Sequence, residues 1–181
     1  MKKKFHWILL VIAIFGIGVA LLKNEVSIAK SLASESPEAR YFFSKNFPNA
    51  QGKIQPLEQW QGKIIIANFW ATWCSPCREE MPELSQIHSK YLNRGVMVLG
   101  IATDDSGKIN EYAKNKPISY PLLAGEIDAM NLSGVLGNNK GVVPYTVIIN
   151  RNGQIVRTYF GRINSAAIDK DVSELLKEQP Q

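Results

Sequence analysis

The chain has only two cysteines, and both lie in one short run: Asn68-Phe69-Trp70-Ala71-Thr72-Trp73-Cys74-Ser75-Pro76-Cys77-Arg78-Glu79-Glu80-Met81-Pro82. A Cys-x-x-Cys pair that follows a strand and opens a helix is a dithiol redox site. At that spacing both sulfurs sit on one helical turn, so the ring between them closes at little cost. One sulfur attacks a foreign disulfide, the other resolves the mixed disulfide, and the helix start sets the energy of the thiolate. Other chemistry fits the pair less well. Zinc wants four ligands, and the only histidines are His6, in an apolar N-terminal run, and His88, beyond the pair on the same predicted helix. An inert structural disulfide remains as the plain alternative.

The bulk numbers bound the setting. A chain of 181 residues, 45% hydrophobic and 20% charged, is one ordinary globular domain plus an appendage. Four of its 21 basic residues, Lys2, Lys3, Lys4 and Lys23, fall within the first 23 positions, where there is no acid. The remainder carries 17 basic against 16 acidic side chains, a net +1. The basicity therefore belongs to the N-terminus and gives no reason to expect a nucleic-acid partner. A single cysteine pair cannot be a disulfide scaffold, so it serves chemistry or one staple.

Lys2–Lys4 precede an apolar run of 18 residues, Phe5 to Leu22, broken only by His6. As a helix it would rise about 27 Å, close to the ~30 Å hydrocarbon core of a bilayer. Positive charge before the run holds the N-terminus on the cytoplasmic side and sends the domain outside. Residues 1–23 are thus a membrane anchor or a cleaved signal segment. Cleavage after Ala33 would lie far past the run, which favours the anchor. Residues 24–46 are polar and read as a linker, with room for a short helix before Phe42-Phe43. The folded domain is expected over 47–181.

The elements that must hold the pair follow from periodicity. Ile64–Trp70 is a near-continuous β-branched and aromatic run, the pattern of a strand buried on both faces. Cys74 to Asn93 reads as a helix, with Leu84, Ile87, Tyr91 and Leu92 at helical spacing and Gly95 closing it. Pro76 falls in its first turn, where proline is tolerated; Pro82 falls inside and is expected to bend it. Val96–Ala102 is a second buried strand. Ser106 to Lys116 reads as a helix capped by Ser106, Tyr120 to Leu123 as a short strand, and Asp128 to Leu136 as a helix. Val142–Asn150 and Gln154–Phe160 form a hairpin about Arg151-Asn152-Gly153, with positive φ expected at both Asn152 and Gly153. Ser165 to Lys177 is a closing amphipathic helix. This order predicts an α/β fold, a mixed central sheet flanked by helices on both faces.

The run from Asn68 to Pro82, with Val143-Pro144 and the Asn152-Gly153 hairpin, resembles the thioredoxin superfamily. Within it the chain is most similar to the ResA/TlpA-like membrane-tethered extracytoplasmic thiol–disulfide oxidoreductases. The resemblance implies a thioredoxin-like fold with an inserted helix-strand segment at about 104–123. It implies Cys74 as the exposed nucleophile and Cys77 as the buried resolving thiol. It gives Glu80, three residues after Cys77, an acid/base part; in a cytoplasmic thioredoxin a buried Asp stands where this chain has Asn68. It makes Pro144 a cis-proline beside Cys74, leaving the Val143 backbone free to pair with a substrate strand. Trp73 and Pro76 complete the predicted substrate-binding surface, whereas Trp70 reads as core. Tyr145 stands where the family usually has a small Thr, which bears on what lies beside the groove.

The function so implied is disulfide reduction outside the cytoplasm by an enzyme without cofactor or metal, acting as a monomer in the bacterial cell envelope. Electrons would come from a membrane thiol transporter of the CcdA/DsbD kind. They would pass to disulfides of specific proteins, apocytochrome c or copper-site assembly proteins. A disulfide-forming oxidase of the same compartment is the alternative; Pro76 before Cys77 fits the reductant better. A non-enzymatic metal-assembly protein would use a longer cysteine spacing and a later histidine, and a peroxidase of the peroxiredoxin type would lack the paired motif.

Overall fold

A computed structural model describes residues 35–114 and 116–178. The predicted N-terminal span and most of the linker lie outside these. The chain divides between Glu35 and Ser36 into two units, and every element below belongs to the second. Among the described residues no helix is long and apolar enough to cross a membrane.

In chain order the elements are α1 (Pro37–Phe43), β1 (Asn46–Pro48), β2 (Ile54–Pro56), β3 (Ile64–Trp70), α2 (Ser75–Tyr91), β4 (Val96–Ala102), α3 (Ser106–Ala113), β5 (Leu122–Ala124), α4 (Glu126–Val135), β6 (Tyr145–Ile149), β7 (Ile155–Phe160) and α5 (Ser165–Glu178). Five strands form one sheet in the order β5-β4-β3-β6-β7, and β1 and β2 form a separate pair. β3 is central, parallel to β4 and antiparallel to β6. β5 extends the parallel side and β7 the antiparallel side. Every residue of β3 and β4 is buried, as strands covered on both faces require.

Alternation along β3 sorts the core into two layers. Ile64, Ile66 and Trp70 face a cluster containing Cys74, Cys77, Met81, Leu84, Ile109, Ile168 and Val172, which come from α2, the residue before it, α3 and α5. Ile65, Ala67 and Phe69 face Phe42, Phe43, Ala129 and Leu132 of α1 and α4. The sheet is therefore mixed, with helices on both faces, as expected.

Three local expectations change. The folded unit starts before Phe47: α1 is capped by Ser36, whose Oγ accepts from the Ala39 N–H at 3.1 Å, and Ala39, Phe42 and Phe43 are core. Asp105, not Ser106, caps α3, its Oδ1 accepting from Lys108 N–H at 3.0 Å. A carboxylate at a helix start also meets the positive end of the helix dipole. In the β6–β7 hairpin only Gly153 has positive φ; Asn152 does not. The Asn150 side chain shapes that loop, its Oδ1 accepting from the N–H groups of Asn152 and Gln154. Pro82 lies within α2, which continues through it to Tyr91.

Candidate active site

β3 ends at Trp70, and a short turn carries the chain into α2. Three bonds hold that turn. Thr103 N–H donates to Trp70 O at 3.0 Å, Cys74 N–H to Ala71 O at 3.1 Å, and Thr72 N–H to Asp104 Oδ2 at 2.7 Å. Asp104 is buried at the head of the insertion. Nothing in the sequence singled it out, since one acid among polar residues looks like a loop. Its contact makes the insertion part of the frame under the cysteines.

Cys74 is the N-cap of α2 in extended backbone, and its Sγ accepts from the Cys77 N–H at 3.3 Å. A sulfur at that position meets free N–H groups and the positive end of the helix dipole, both of which favour a thiolate. The two cysteines form a disulfide. Cys74 keeps 4% of its surface exposed and Cys77 none, so a partner can reach only Cys74. Trp73, just before it, is 70% exposed. Its indole is free to meet another surface beside the sulfur. Pro76 is also exposed, in the first turn of α2. The Val143–Pro144 peptide is cis. Val143 is half-buried against the cluster that holds both cysteines, and Val142 before it is exposed.

Glu80 is the unusual group. It is fully buried, while Glu79 on the same helix is exposed. Its Oε1 accepts from Asn68 Nδ2 at 2.7 Å and its Oε2 from the Ile163 N–H at 2.9 Å. Burial raises its pKa to about 7; these two hydrogen bonds and Arg162 pull the other way, and Glu83 adds slightly to the rise. A carboxyl balanced near neutrality, one turn beyond a resolving thiol, can take and return a proton. Glu83 lies one turn further on, its Oε2 accepting from Ser165 N–H at 3.0 Å and its Oε1 from Arg162 Nη2 at 2.8 Å. The Ser165 bond is the first cause holding its carboxyl below the usual range. The partners Ile163, Ser165 and Thr146 are distant in sequence, and no local pattern marks them.

Gly100 of β4 pairs with Asn68 and leaves room in this layer. A Cβ there would meet Leu122 Cδ2 at 2.8 Å, Tyr120 Cε2 at 3.0 Å and Trp70 Nε1 at 3.2 Å. Trp70 is fully buried against the Tyr112 ring and is core, as its place in β3 implied. Tyr145 departs from expectation. It points into the opposite layer, against Phe69 and Phe160, and its hydroxyl donates to Leu136 O at 2.8 Å. It therefore contributes no side chain beside the thiols, and Thr146, next in the strand, faces Asn68 instead.

Residues 40–158 match the AhpC/TSA family. The chain belongs to that thioredoxin-fold family. Among curated proteins it is similar to thiol-disulfide oxidoreductase ResA of Halalkalibacterium halodurans, 24% identical over 180 residues that cover 98% of each chain. The protein of the same name from Bacillus cereus is 24% identical over 148 residues, 77% of this chain and 82% of that one. Among solved structures, a thiol:disulfide interchange protein of the thioredoxin family from Chlorobium tepidum superposes with a TM-score of 0.65 at 27% identity, covering 74% of this chain and 93% of that one. With the Cys74–Cys77 pair in place, this member of the family is a thiol–disulfide oxidoreductase of ResA type.

Proposed function

We propose that this enzyme is a reductant of disulfides in specific proteins on the extracytoplasmic side of the bacterial envelope, tethered by residues 1–23. The observation that carries the exchange chemistry is Glu80, buried with its pKa raised to about 7, three residues beyond Cys77 on α2, and Pro76 before Cys77 favours the direction of reduction. In the reduced enzyme the Cys74 thiolate attacks one sulfur of the partner's disulfide. A mixed disulfide forms and the partner's other sulfur leaves as thiolate. The Cys77 thiol gives its proton to the Glu80 carboxylate, and the Cys77 thiolate attacks Cys74 Sγ. The intramolecular disulfide forms, the partner's second thiolate leaves, and the partner is reduced by the two electrons the enzyme loses. Trp73, Pro76 and the Val143-Pro144 backbone receive the partner's chain around its cysteine. A membrane thiol transporter of the CcdA/DsbD kind returns the electrons, and apocytochrome c or copper-site assembly proteins are the substrates.

The deciding measurement is the reduction potential of the Cys74–Cys77 couple against glutathione or thioredoxin. A value near or below about −250 mV supports the reductant, and one near about −120 mV overturns it in favour of a disulfide-forming oxidase.

A further inference from the structure

The Asn68 carboxamide is buried, and its surroundings suit only one charge state of its neighbour. Both its Nδ2 protons are used, one on Glu80 Oε1 at 2.7 Å and one on Thr146 Oγ1 at 3.0 Å. Its Oδ1 is buried and has no partner. An unpaired buried acceptor in a native core calls for an explanation.

A carboxylate accepts at both oxygens, so the ionised Glu80 satisfies Asn68 and Ile163 together. The Ile163 donor is backbone and cannot reverse, which leaves Oε1 as the oxygen that takes a proton. Oε1–H would then face the Asn68 N–H, donor against donor. A half-turn of the carboxamide removes the conflict, because Oδ1 then lies where Nδ2 lay. It can accept from Glu80 Oε1–H, and also from Thr146 Oγ1–H, since a hydroxyl that accepts in one arrangement can donate in the other. Two hydrogen bonds are kept, and the unpaired atom changes from Oδ1 to Nδ2.

We propose that Asn68 is a positioning residue with two settings, its carboxamide turning over as Glu80 gains or loses a proton, with the Thr146 hydroxyl reversing direction alongside it. The inference deepens the reading above, in which Glu80 receives the Cys77 proton. An acid fixed at the Asn68 position would repel the Glu80 carboxylate, and an apolar residue would strand it. A carboxamide serves both forms. The other groups facing Glu80 are Arg162, Glu83 and the Tyr120 phenol, and none of them hydrogen-bonds to either Glu80 oxygen.

The experiment is NMR on the oxidised full chain, labelled to follow Glu80 Cδ and the Asn68 side-chain amide protons on both sides of neutral pH. Above the Glu80 midpoint the two amide protons should be hydrogen-bonded and downfield; as Glu80 protonates they should move upfield together, with the same midpoint. If Glu80 titrates while the Asn68 protons stay in place, the carboxamide is a fixed donor and the proposal falls. Thr146→Val and Thr146→Ser give a second reading. Val should shift the midpoints of Glu80 and, in the reduced protein, of the Cys77 thiol followed by its Cβ chemical shift, severalfold in proton concentration, and Ser should restore them. Equal effects of Val and Ser would remove the hydroxyl from the device. If the Cys77 thiol of the reduced protein titrates independently of Glu80 while Asn68 still turns, the proton-acceptor reading fails and this one stands.

Discussion

Replacing Glu80 by Gln keeps the shape of the side chain and removes its charge. The ordinary carboxyl pKa is 4.5, and burial lifts Glu80 to about 7 in the fold. The folded protein thus holds this proton more tightly than the unfolded chain does. Below about pH 4.5 both states carry the proton and the stabilisation it gives is fully present. As pH rises through about 7 the unfolded chain has already ionised freely, whereas the fold must bury a carboxylate. Each pH unit of that difference is worth roughly 1.4 kcal/mol, so about 3 kcal/mol of stability is lost across the window. The Glu80→Gln protein has no such group to ionise. Urea unfolding of both proteins, oxidised and at matched ionic strength, should give similar stabilities near pH 4.5. The variant should pull ahead by up to about 3 kcal/mol above pH 8. Other titrating groups are common to both proteins and largely cancel in the difference. Two stability curves that run parallel over the whole range would refute the buried, neutral-range carboxyl.

Cys77→Ser should accumulate mixed disulfides through Cys74, seen as reductant-sensitive adducts on non-reducing gels, whereas Cys74→Ser should give none. Trp73→Ala removes an exposed ring and should change unfolding free energy by less than about 0.5 kcal/mol; kcat/KM for a protein disulfide should fall several-fold while reaction with a small disulfide is kept. Tyr145→Phe deletes the hydroxyl bonded to Leu136 O and should cost about 1 kcal/mol in chemical denaturation, leaving the reduction potential unchanged because the side chain lies in the layer away from the thiols.

The parts of this fold that declared themselves in sequence are those governed by short-range pattern. Ile64–Trp70 and Val96–Ala102 could only be buried strands, and Cys74 to Cys77 at a helix start could only be a reactive or structural pair. Glu80 showed itself through its spacing from Cys77 and the family likeness, but its burial did not, because Glu79 and Glu83 look the same on paper. What separates them is tertiary: Ile163 supplies a backbone donor from 83 residues away, and Asn68 supplies its side-chain amide from the central strand. α1 showed only as room for a short helix, and its place in the core was hidden because two phenylalanines in a polar stretch resemble a linker. The outcome at Tyr145 turned on strand alternation. Adjacent residues of β6 face opposite layers, so the residue after the cis-proline need not join it at the site.

The bonds from Ile163 to Glu80 and from Ser165 to Glu83 also set an order of assembly. A growing chain presents Cys74 and Cys77 long before it presents the backbone that completes the carboxyl's cradle. Until that late segment closes over α2, Glu80 lacks one of its two hydrogen bonds and part of the burial that raises its pKa. The dithiol exists early, but the buried setting of Glu80 is completed only when the chain from Ile163 onward, its last tenth, has folded. The carboxyl's burial is in this sense a property of the finished fold, and a fragment ending before residue 163 would carry the Cys-x-x-Cys motif without the Ile163 bond to Glu80.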